Sequence, residues 1–544
     1  MTFPVTFLPT GKTVRVPPGT TLLQAAVQAG LLIHTPCGGG GTCGKCRMRI
    51  RAGEVPAGGS SQHLTAEQLE AGWRLACVTR VTGPLEAEVP ATSLLARLDT
   101  ILVDGVPVPI RRDPHRLGEM GVAFDLGTTT VAGALFDLHT GLERASHAVM
   151  NRQIPLGDDV ISRIHTVRQT PSTLARLQTA AIETLNEILD ALCDACGETP
   201  GAIRRVTVAG NTAMQQLLLG IDPSPLGEAP FAAAFTDAQT TGAARLGLKV
   251  AADATLTVFP QIGGFVGGDT VAGLLASRFD SLTHPTLLVD IGTNGEIALF
   301  TGNALLAASS AAGPAFEGAR IRQGMRAVPG AIDQIWMQDG DLRCHVINDA
   351  DPCGLCGSAL VDAVAVLLQA GLIDETGLLE PPAAAPQETR CALRERLIPF
   401  DHAWACVLAR DARGEPLVML TQRDIRELQL AAGAIRTGIE VLLARANLTP
   451  RDLDALLLAG GFGNYIRREN ALRIGLLPPV HELAVRFVGN ASLSGAKRAL
   501  LAQAELDRAQ QLRNRVTHVE LAADPRFSDL FMRHMCFPAG PDVA

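Results

Sequence analysis

Four cysteines in the first ninety residues, Cys37, Cys43, Cys46 and Cys77, have a spacing that lets their thiolates share one inorganic centre. Three crowd into Cys37-Gly-Gly-Gly-Gly-Thr-Cys43-Gly-Lys-Cys46, and the fourth stands alone in WRLACVTRV. Zinc sites usually show two compact cysteine pairs, so this C-x5-C-x2-C…C pattern suits an iron–sulfur cluster instead. The glycines let the backbone wrap closely round sulfide and donate N–H groups to it. Two other segments have the chemistry of phosphate loops: Asp125-Leu-Gly127-Thr128-Thr129 and Asp290-Ile-Gly292-Thr293-Asn294. Each follows an apolar strand and leads into another. Such a strand delivers a carboxylate towards a metal ion, while the Gly-Thr turn offers N–H and hydroxyl groups to phosphate oxygens. The aspartates are 165 residues apart, and VTVAGNT (206–212) and LLLAGGF (456–462) form a second echo. A repeated structural hairpin is the plain reading; two turns related by duplication and facing across a cleft make a nucleotide clamp.

These groups need a frame. Residues 3–17 alternate apolar and polar about Pro9-Thr10-Gly11, which predicts a β-hairpin. A short helix follows from Thr20, with Leu22, Ala25, Ala26 and Ala29 on one face. Residues 91–119, with Pro107, Pro109 and Pro114, are expected to be a linker, followed by halves at 120–285 and 286–544, the second with an insertion at about 325–420. A chain of 544 residues exceeds one core of about 250–300 residues, and 47 % hydrophobic content excludes general disorder. The formal charge of -8 and 4 % aromatic residues argue against nucleic-acid binding. Charge is uneven: residues 1–90 hold eight Lys and Arg against five Glu, net +3, which leaves -11 for the rest. Basic residues Lys45, Arg47, Arg49 and Arg51 beside the thiols predict an acidic docking partner, the chain's own body included.

The first 90 residues resemble ferredoxins of the 2Fe–2S type, which implies a β-grasp fold and one-electron transfer. The two Asp-x-Gly-Thr halves resemble the acetate/sugar kinase–Hsp70–actin (ASKHA) superfamily, an α/β fold of two ribonuclease-H-like lobes with ATP between them. That resemblance implies a first phosphate loop of Asp125, Gly127, Thr128 and Thr129 and a second of Asp290, Gly292, Thr293 and Asn294. It sets Gly460, Gly461 and Gly463 against the adenosine. It also implies that Asp125 and Asp290 hold Mg2+ through water and position the attacking water, with Glu296 and Glu317 as weaker candidates for activating it. The union of the two parts is similar to the reductive activators of corrinoid proteins, on DLGTTTVAGAL, VAGNTAM, GGFVGGDT, VDIGTNGE, AAGPAFEGA, CGSALVDAV and LAGGFGNYI. The resemblance implies ATP-driven reduction of Co(II) to Co(I) in a corrinoid protein of a methyltransferase system, an external low-potential electron donor, and a homodimer. A plant-type cluster near about -400 mV lies above the Co(II)/Co(I) couple expected for a corrinoid, so the electron must be helped uphill. Only about thirty residues separate the ferredoxin from Asp125, where longer relatives are expected to carry a further small middle domain.

Two other classes stay open: an ATP-driven activator injecting electrons into another low-potential enzyme, and a non-enzymatic electron carrier that senses ATP. The start of the chain lacks a basic, then apolar, export signal, so a cytoplasmic protein with reduced thiols is expected. The apolar stretch 354–373 contains Asp362 and Gln369 and is predicted to be a buried helix, with no membrane contact. Cys193 and Cys196 fall at the C-terminal end of an amphipathic helix, where the dipole does not activate a thiol, so they are expected to pack. Cys353 and Cys356, with Cys344, Cys391 or Cys406, are expected to bind no second metal. His34 is expected to pack beside the cysteine loop.

Overall fold

The computed structural model describes residues 2–29, 31, 33, 46–55, 63–90, 93, 100–103, 106–157, 159–292, 294–318, 320–325, 329–384, 391–460, 466–481 and 484–538. Alternation near the start does produce a hairpin: β1 (Phe3–Leu8) pairs antiparallel with β2 (Lys12–Val16), Phe3 opposite Val16. Gly11, at φ +69°, occupies the turn position that an L side chain disfavours. Helix α1 (Leu22–Gln28) begins where Thr21 Oγ1 accepts from Gln24 N–H at 3.1 Å and Gln24 Oε1 accepts from Thr21 N–H at 3.0 Å. Strand β3 (Arg47–Ala52), helix α2 (Ala66–Glu70), β4 (Trp73–Leu75) and β5 (Leu85–Glu88) complete a sheet ordered β2-β1-β5-β3-β4. Strands β1 and β5 run parallel, and Val5, Phe7, Leu22, Met48 and Leu75 fill the core beneath.

The segment expected as a bare linker carries a two-stranded ribbon, β6 (Thr100–Val103) and β7 (Val106–Pro109). Its far end is fastened. Asp113 N–H donates to Leu501 O at 3.1 Å, and its carboxylate accepts from Arg205 at 2.9 Å and from Gln503 N–H at 2.9 Å.

The first half runs β8 (Met120–Leu126), β9 (Thr130–Asp137), β10 (Leu142–Met150), α3 (Val160–Gln169), α4 (Thr173–Cys196), β11 (Ile203–Gly210), α5 (Thr212–Leu218), β12 (Gln239–Gly242), β13 (Thr255–Val258) and α6 (Gly268–Ala276). The second opens with β14 (Thr286–Ile291), β15 (Gly295–Phe300) and β16 (Leu305–Ser310). An insertion follows: β17 (Ala331–Gln338), β18 (Asp341–Val346), β19 (Gly354–Leu355), α7 (Gly357–Gln369), α8 (Cys391–Arg394), β20 (Leu397–Phe400), β21 (Ala403–Arg410) and β22 (Pro416–Thr421). The half closes with α9 (Gln422–Arg445), β23 (Ala455–Ala459), α10 (Arg468–Arg473), β24 (Val485–Gly489), α11 (Ala491–Leu501), α12 (Gln503–Arg515), β25 (Val516–His518) and α13 (Phe527–His534).

Duplication is visible in the sheets. The first is ordered β10-β9-β8-β11-β13-β12 and the second β16-β15-β14-β23-β24, with β25 added beyond β16. In each, three strands form an antiparallel meander, and the fourth and fifth run parallel to the first. Each half has its own outer core, and a third core joins them: Ala123, Phe136 and Ala209 from the first half meet Leu288, Ala298 and Leu457 from the second. Helix α11 of the second half lies against β8 and β11 of the first and crosses α6. The crossing is close because Gly495 has no side chain; a Cβ there would lie 2.1 Å from Ala272 O. The apolar stretch 354–373 forms α7, buried from Gly357 to Leu367, where the Asp362 carboxylate accepts from Asn470 at 2.6 Å and Ile335 N–H at 3.1 Å. Among the described residues no helix is long and apolar enough to cross a membrane.

Gly495→Val forces α6 and α11 apart. Urea unfolding should show a loss of at least about 1–3 kcal/mol, the usual cost of overpacking. Gly201→Ala, where a Cβ meets nothing within 4 Å, should leave the midpoint in place.

Candidate functional site

Antiparallel pairing of Arg47 with Leu75 brings Cys46, just before β3, to Cys77, just after β4. Their sulfurs lie 3.2 Å apart, both buried, and Ala76 N–H donates to Cys46 O at 2.9 Å. That is well beyond a disulfide bond of about 2.05 Å and short enough for one iron to take both. The donor set therefore fits a thiolate-held cluster at these two ligands. Cys37 and Cys43, with Lys45 and His34, lie outside the described residues.

The second site is a meeting of carboxylates. Asp125 ends β8 and Asp290 ends β14; each keeps some surface open yet lies deep between the halves. Burial raises Asp290 to about 8, and the charges of Asp125 and Asp269 push in the same direction. Burial also raises Asp125, against hydrogen bonds from Asn490 at 2.8 Å and Ser492 at 2.7 Å. Glu296 stands directly opposite Asp290 across the β14–β15 ladder and is held well above the ordinary carboxylate range by burial, then by Asp269 and Asp290. Four carboxylates that repel one another at the boundary of the halves concentrate negative charge, which a cation would relieve. Among the described residues no group of three His, Cys, Asp or Glu is arranged to hold a metal ion.

Asp269 was not singled out in the sequence. It sits in the first turn of α6, accepting from Thr270 N–H at 2.7 Å, and burial raises it to about 7 with Asp125 adding to the shift. The available signal was Gly-Gly-Asp-Thr ahead of an apolar helical run, a helix start with an acid in its first turn.

The first phosphate turn is braced from below. A Cβ at Gly127 would lie 2.4 Å from Thr130 O, so the turn needs glycine. Asn151 donates to Gly127 O at 2.9 Å, and the fully buried Arg163 donates to Thr128 O at 2.6 Å. Asn211 caps α5 with its Oδ1 and gives its amide N–H to Thr128 Oγ1 at 3.0 Å. The N–H groups of Thr128 and Thr129 bond to no described residue and are available to an anion. The second turn differs. Gly292 spends its N–H on Asn294 O at 3.0 Å, and Asn294 bonds Glu296 through its side chain; Thr293 lies outside the described residues. Gly460, expected against the adenosine, adopts φ +94° at the end of β23, and a Cβ there would lie 2.5 Å from Ile291 O and 2.7 Å from Asp290 Oδ1. Its missing side chain makes room for Asp290 itself. Gly461, Gly463 and the side chain of Glu317 lie outside the described residues.

Burial raises the Cys344 thiol. Cys193 and Cys196 end α4, and burial raises both, Cys196 to about 11. Burial also raises Cys356 and Cys406, each to about 12. A cavity of about 570 Å³ in the insertion, lined by Phe400, His402 and Trp404 among others, shares no residue with the carboxylates.

A family model described as the C-terminal ASKHA domain of RACo matches residues 284–542, the RACo middle region matches 120–282, and a 2Fe–2S cluster-binding domain matches 5–82. The chain is 37 % identical over 439 residues to a protein of Eubacterium limosum named corrinoid activation enzyme RamQ, over 80 % of this chain and 72 % of that one. It is 27 % identical over 451 residues to a Methanosarcina barkeri protein named Co(II) methylated amine-specific corrinoid protein reductase, over 77 % of each. A solved structure described as a reductive activator for corrinoid, iron–sulfur protein matches with a TM-score of 0.73 at 28 % identity, over 98 % of each chain.

With its carboxyl group raised to about 8 from the usual 3.8, Asp290 makes folded protein bind more protons than unfolded protein between those values. Stability from this group is present below about pH 4 and is lost as pH rises towards 8. In buffer free of divalent cations, Asp290→Asn should therefore gain on the parent between pH 5 and pH 8 by at least about 1 kcal/mol, one pKa unit corresponding to about 1.4 kcal/mol. A parent–variant difference in urea midpoint that stays flat across that range would show that the carboxylate is not under strain.

Proposed function

Because this chain belongs to the family of corrinoid activation enzymes, we propose that it returns an inactive Co(II) corrinoid protein of a methyltransferase system to Co(I), one electron at a time, with ATP hydrolysis driving the step. The observation that carries the ATP half of this reading is the convergence of Asp125 and Asp290, from equivalent hairpins of the two halves, close enough for one charge to raise the other's pKa. Cys37, Cys43, Cys46 and Cys77 would hold a 2Fe–2S cluster, which supplies a one-electron relay when bound. An external low-potential donor would reload it.

The chain's own residues do the rest. Thr128 and Thr129 present N–H groups to the terminal phosphates, and the buried brace of Asn151 and Arg163 keeps that turn from moving when charge arrives. Asp125 and Asp290 would hold Mg2+, which would supply positive charge to offset the phosphates. Glu296, facing Asp290 and hydrogen-bonded by Asn294, would accept a proton from the attacking water once a bound cation offsets the charges that keep it protonated. A cleft built from two halves with a shared core can differ in closure between ATP-bound and product-bound states, and a partner that prefers one state is thereby gripped and released.

Asp290→Ala should abolish ATP hydrolysis and leave the visible spectrum of the cluster unchanged. Cys46→Ala should do the reverse, ending reduction of a Co(II) corrinoid protein followed by cobalt absorbance while ATP still binds. Undiminished hydrolysis by Asp290→Ala would remove the nucleotide clamp from this account.

A further inference from the structure

The first-half carboxylate is held by the second half. Asp125 Oδ2 accepts from Asn490 Nδ2 at 2.8 Å and Oδ1 accepts from Ser492 Oγ at 2.7 Å, so each oxygen has one donor from the start of α11. The geometry leaves Asn490 no freedom. Its Oδ1 caps α11 by accepting from Leu493 N–H at 2.7 Å, which turns its amide N–H towards Asp125. Ser492 is buried. The residue before Asn490 is also engaged: Gly489 O accepts from Gly460 N–H at 3.0 Å, and Gly460 lies against Asp290. One junction, residues 489–492, thus touches the first phosphate hairpin directly and the second through Gly460. Beyond it, α11 crosses α6 at Gly495, and the first turn of α6 carries Asp269.

We infer that Asn490 and Ser492 are positioning residues for the cation and nucleotide site: they fix both oxygens of Asp125, so the first phosphate hairpin is complete only when α11 of the other half is seated. The inference rests on the reading of the cleft as an ATP site. A hydrogen bond between a neutral donor and a carboxylate both aims the oxygens and favours the charged form. Without the pair, Asp125 is free to rotate, and a water-mediated grip on Mg2+ needs a fixed acceptor direction. Asn211 serves Thr128 from within the first half in the same way, cap on one side and donor on the other. Asn490 does so across the boundary, which makes the site sensitive to how the halves are set.

The test measures binding of a fluorescent ATP analogue to the full cluster-loaded chain across a magnesium titration. Ser492→Ala removes one donor. Asn490→Ser keeps a capping oxygen but removes the amide that donates to Asp125 and adds no charge. Ser494→Ala is the control; its hydroxyl bonds Asn490 O on the same helix at 2.8 Å and does not reach Asp125. The first two should raise the magnesium concentration at half-saturation about ten- to a hundredfold, the range for a lost hydrogen bond to a charged group. The control should overlay the parent, and all four proteins should share one cluster spectrum. If Ser492→Ala fails to fold, Asn490→Ser decides, since its cap is retained. Titrations of the variants that overlay the parent would overturn the inference alone. A parent that binds no nucleotide at any magnesium concentration would overturn the ATP reading, and this inference with it.

Discussion

Like-charge repulsion at the boundary of two duplicated halves is the constraint around which this structure is arranged. Asp125, Asp269, Asp290 and Glu296 come from four different elements, β8, α6, β14 and β15. Each would be better solvated alone. They are kept together by apolar cores that do not depend on them, and most firmly by the shared core beneath α6 and α11. Relief is uneven. Asp125 has two side-chain donors and Asp269 has the Thr270 N–H, while Asp290 has burial and two like charges against it and is raised to about 8. The centre of the cleft is thus poised for positive charge, and the fold carries the strain when none is present.

Duplication supplied the frame but the halves have diverged in use. In the first hairpin Asp125 pairs with Ala132; in the second, which is one residue shorter, Asp290 pairs with Glu296. The shorter turn closes on itself, Gly292 to Asn294, whereas the longer one leaves Thr128 and Thr129 N–H groups open and is braced by Arg163. Each half brings two carboxylates to the boundary, Asp125 and Asp269 from the first and Asp290 and Glu296 from the second. The halves differ in their turns: one is braced from below and the other closes on itself.

Much of this was legible in the chain itself. The alternation about Gly11, the cysteine spacing and both Asp-x-Gly-Thr turns are local patterns, and the first of these formed as expected, as did the strands and turns around the two aspartates. What escaped depends on contacts between distant residues. Asp269 looks like an ordinary helix-start acid until the crossing of α6 and α11 brings it to Asp125. Asn490 looks like any N-cap, because its second hydrogen bond spans 365 residues. That the missing side chain of Gly460 also makes room for Asp290 shows only once β14 and β23 lie side by side. Pro107 and Pro109 argued against a strand, but an isolated two-stranded ribbon has an outer edge where a missing N–H costs nothing.

Between the ferredoxin unit and the two halves, the segment after the ribbon is anchored at Asp113. Asp113 takes Arg205 from β11 of the first half and the N–H of Gln503, at the start of α12 in the second, on a single carboxylate, and its own N–H goes to the last residue of α11. Arg205 and Gln503 are fixed to different halves. A change in the setting of those halves must therefore lengthen one of the Asp113 bonds or carry the anchor with it. Either way the end of the tether follows α11, the same helix whose first turn holds Asp125. On the far side, His63 of the ferredoxin unit meets His345 of the insertion, ring centres 6.3 Å apart, and His345 leans on Asp333. This contact joins the ferredoxin unit to the insertion of the second half. The anchor at Asp113 is thus a physical link between the setting of the two halves and the segment that leads back to the ferredoxin unit.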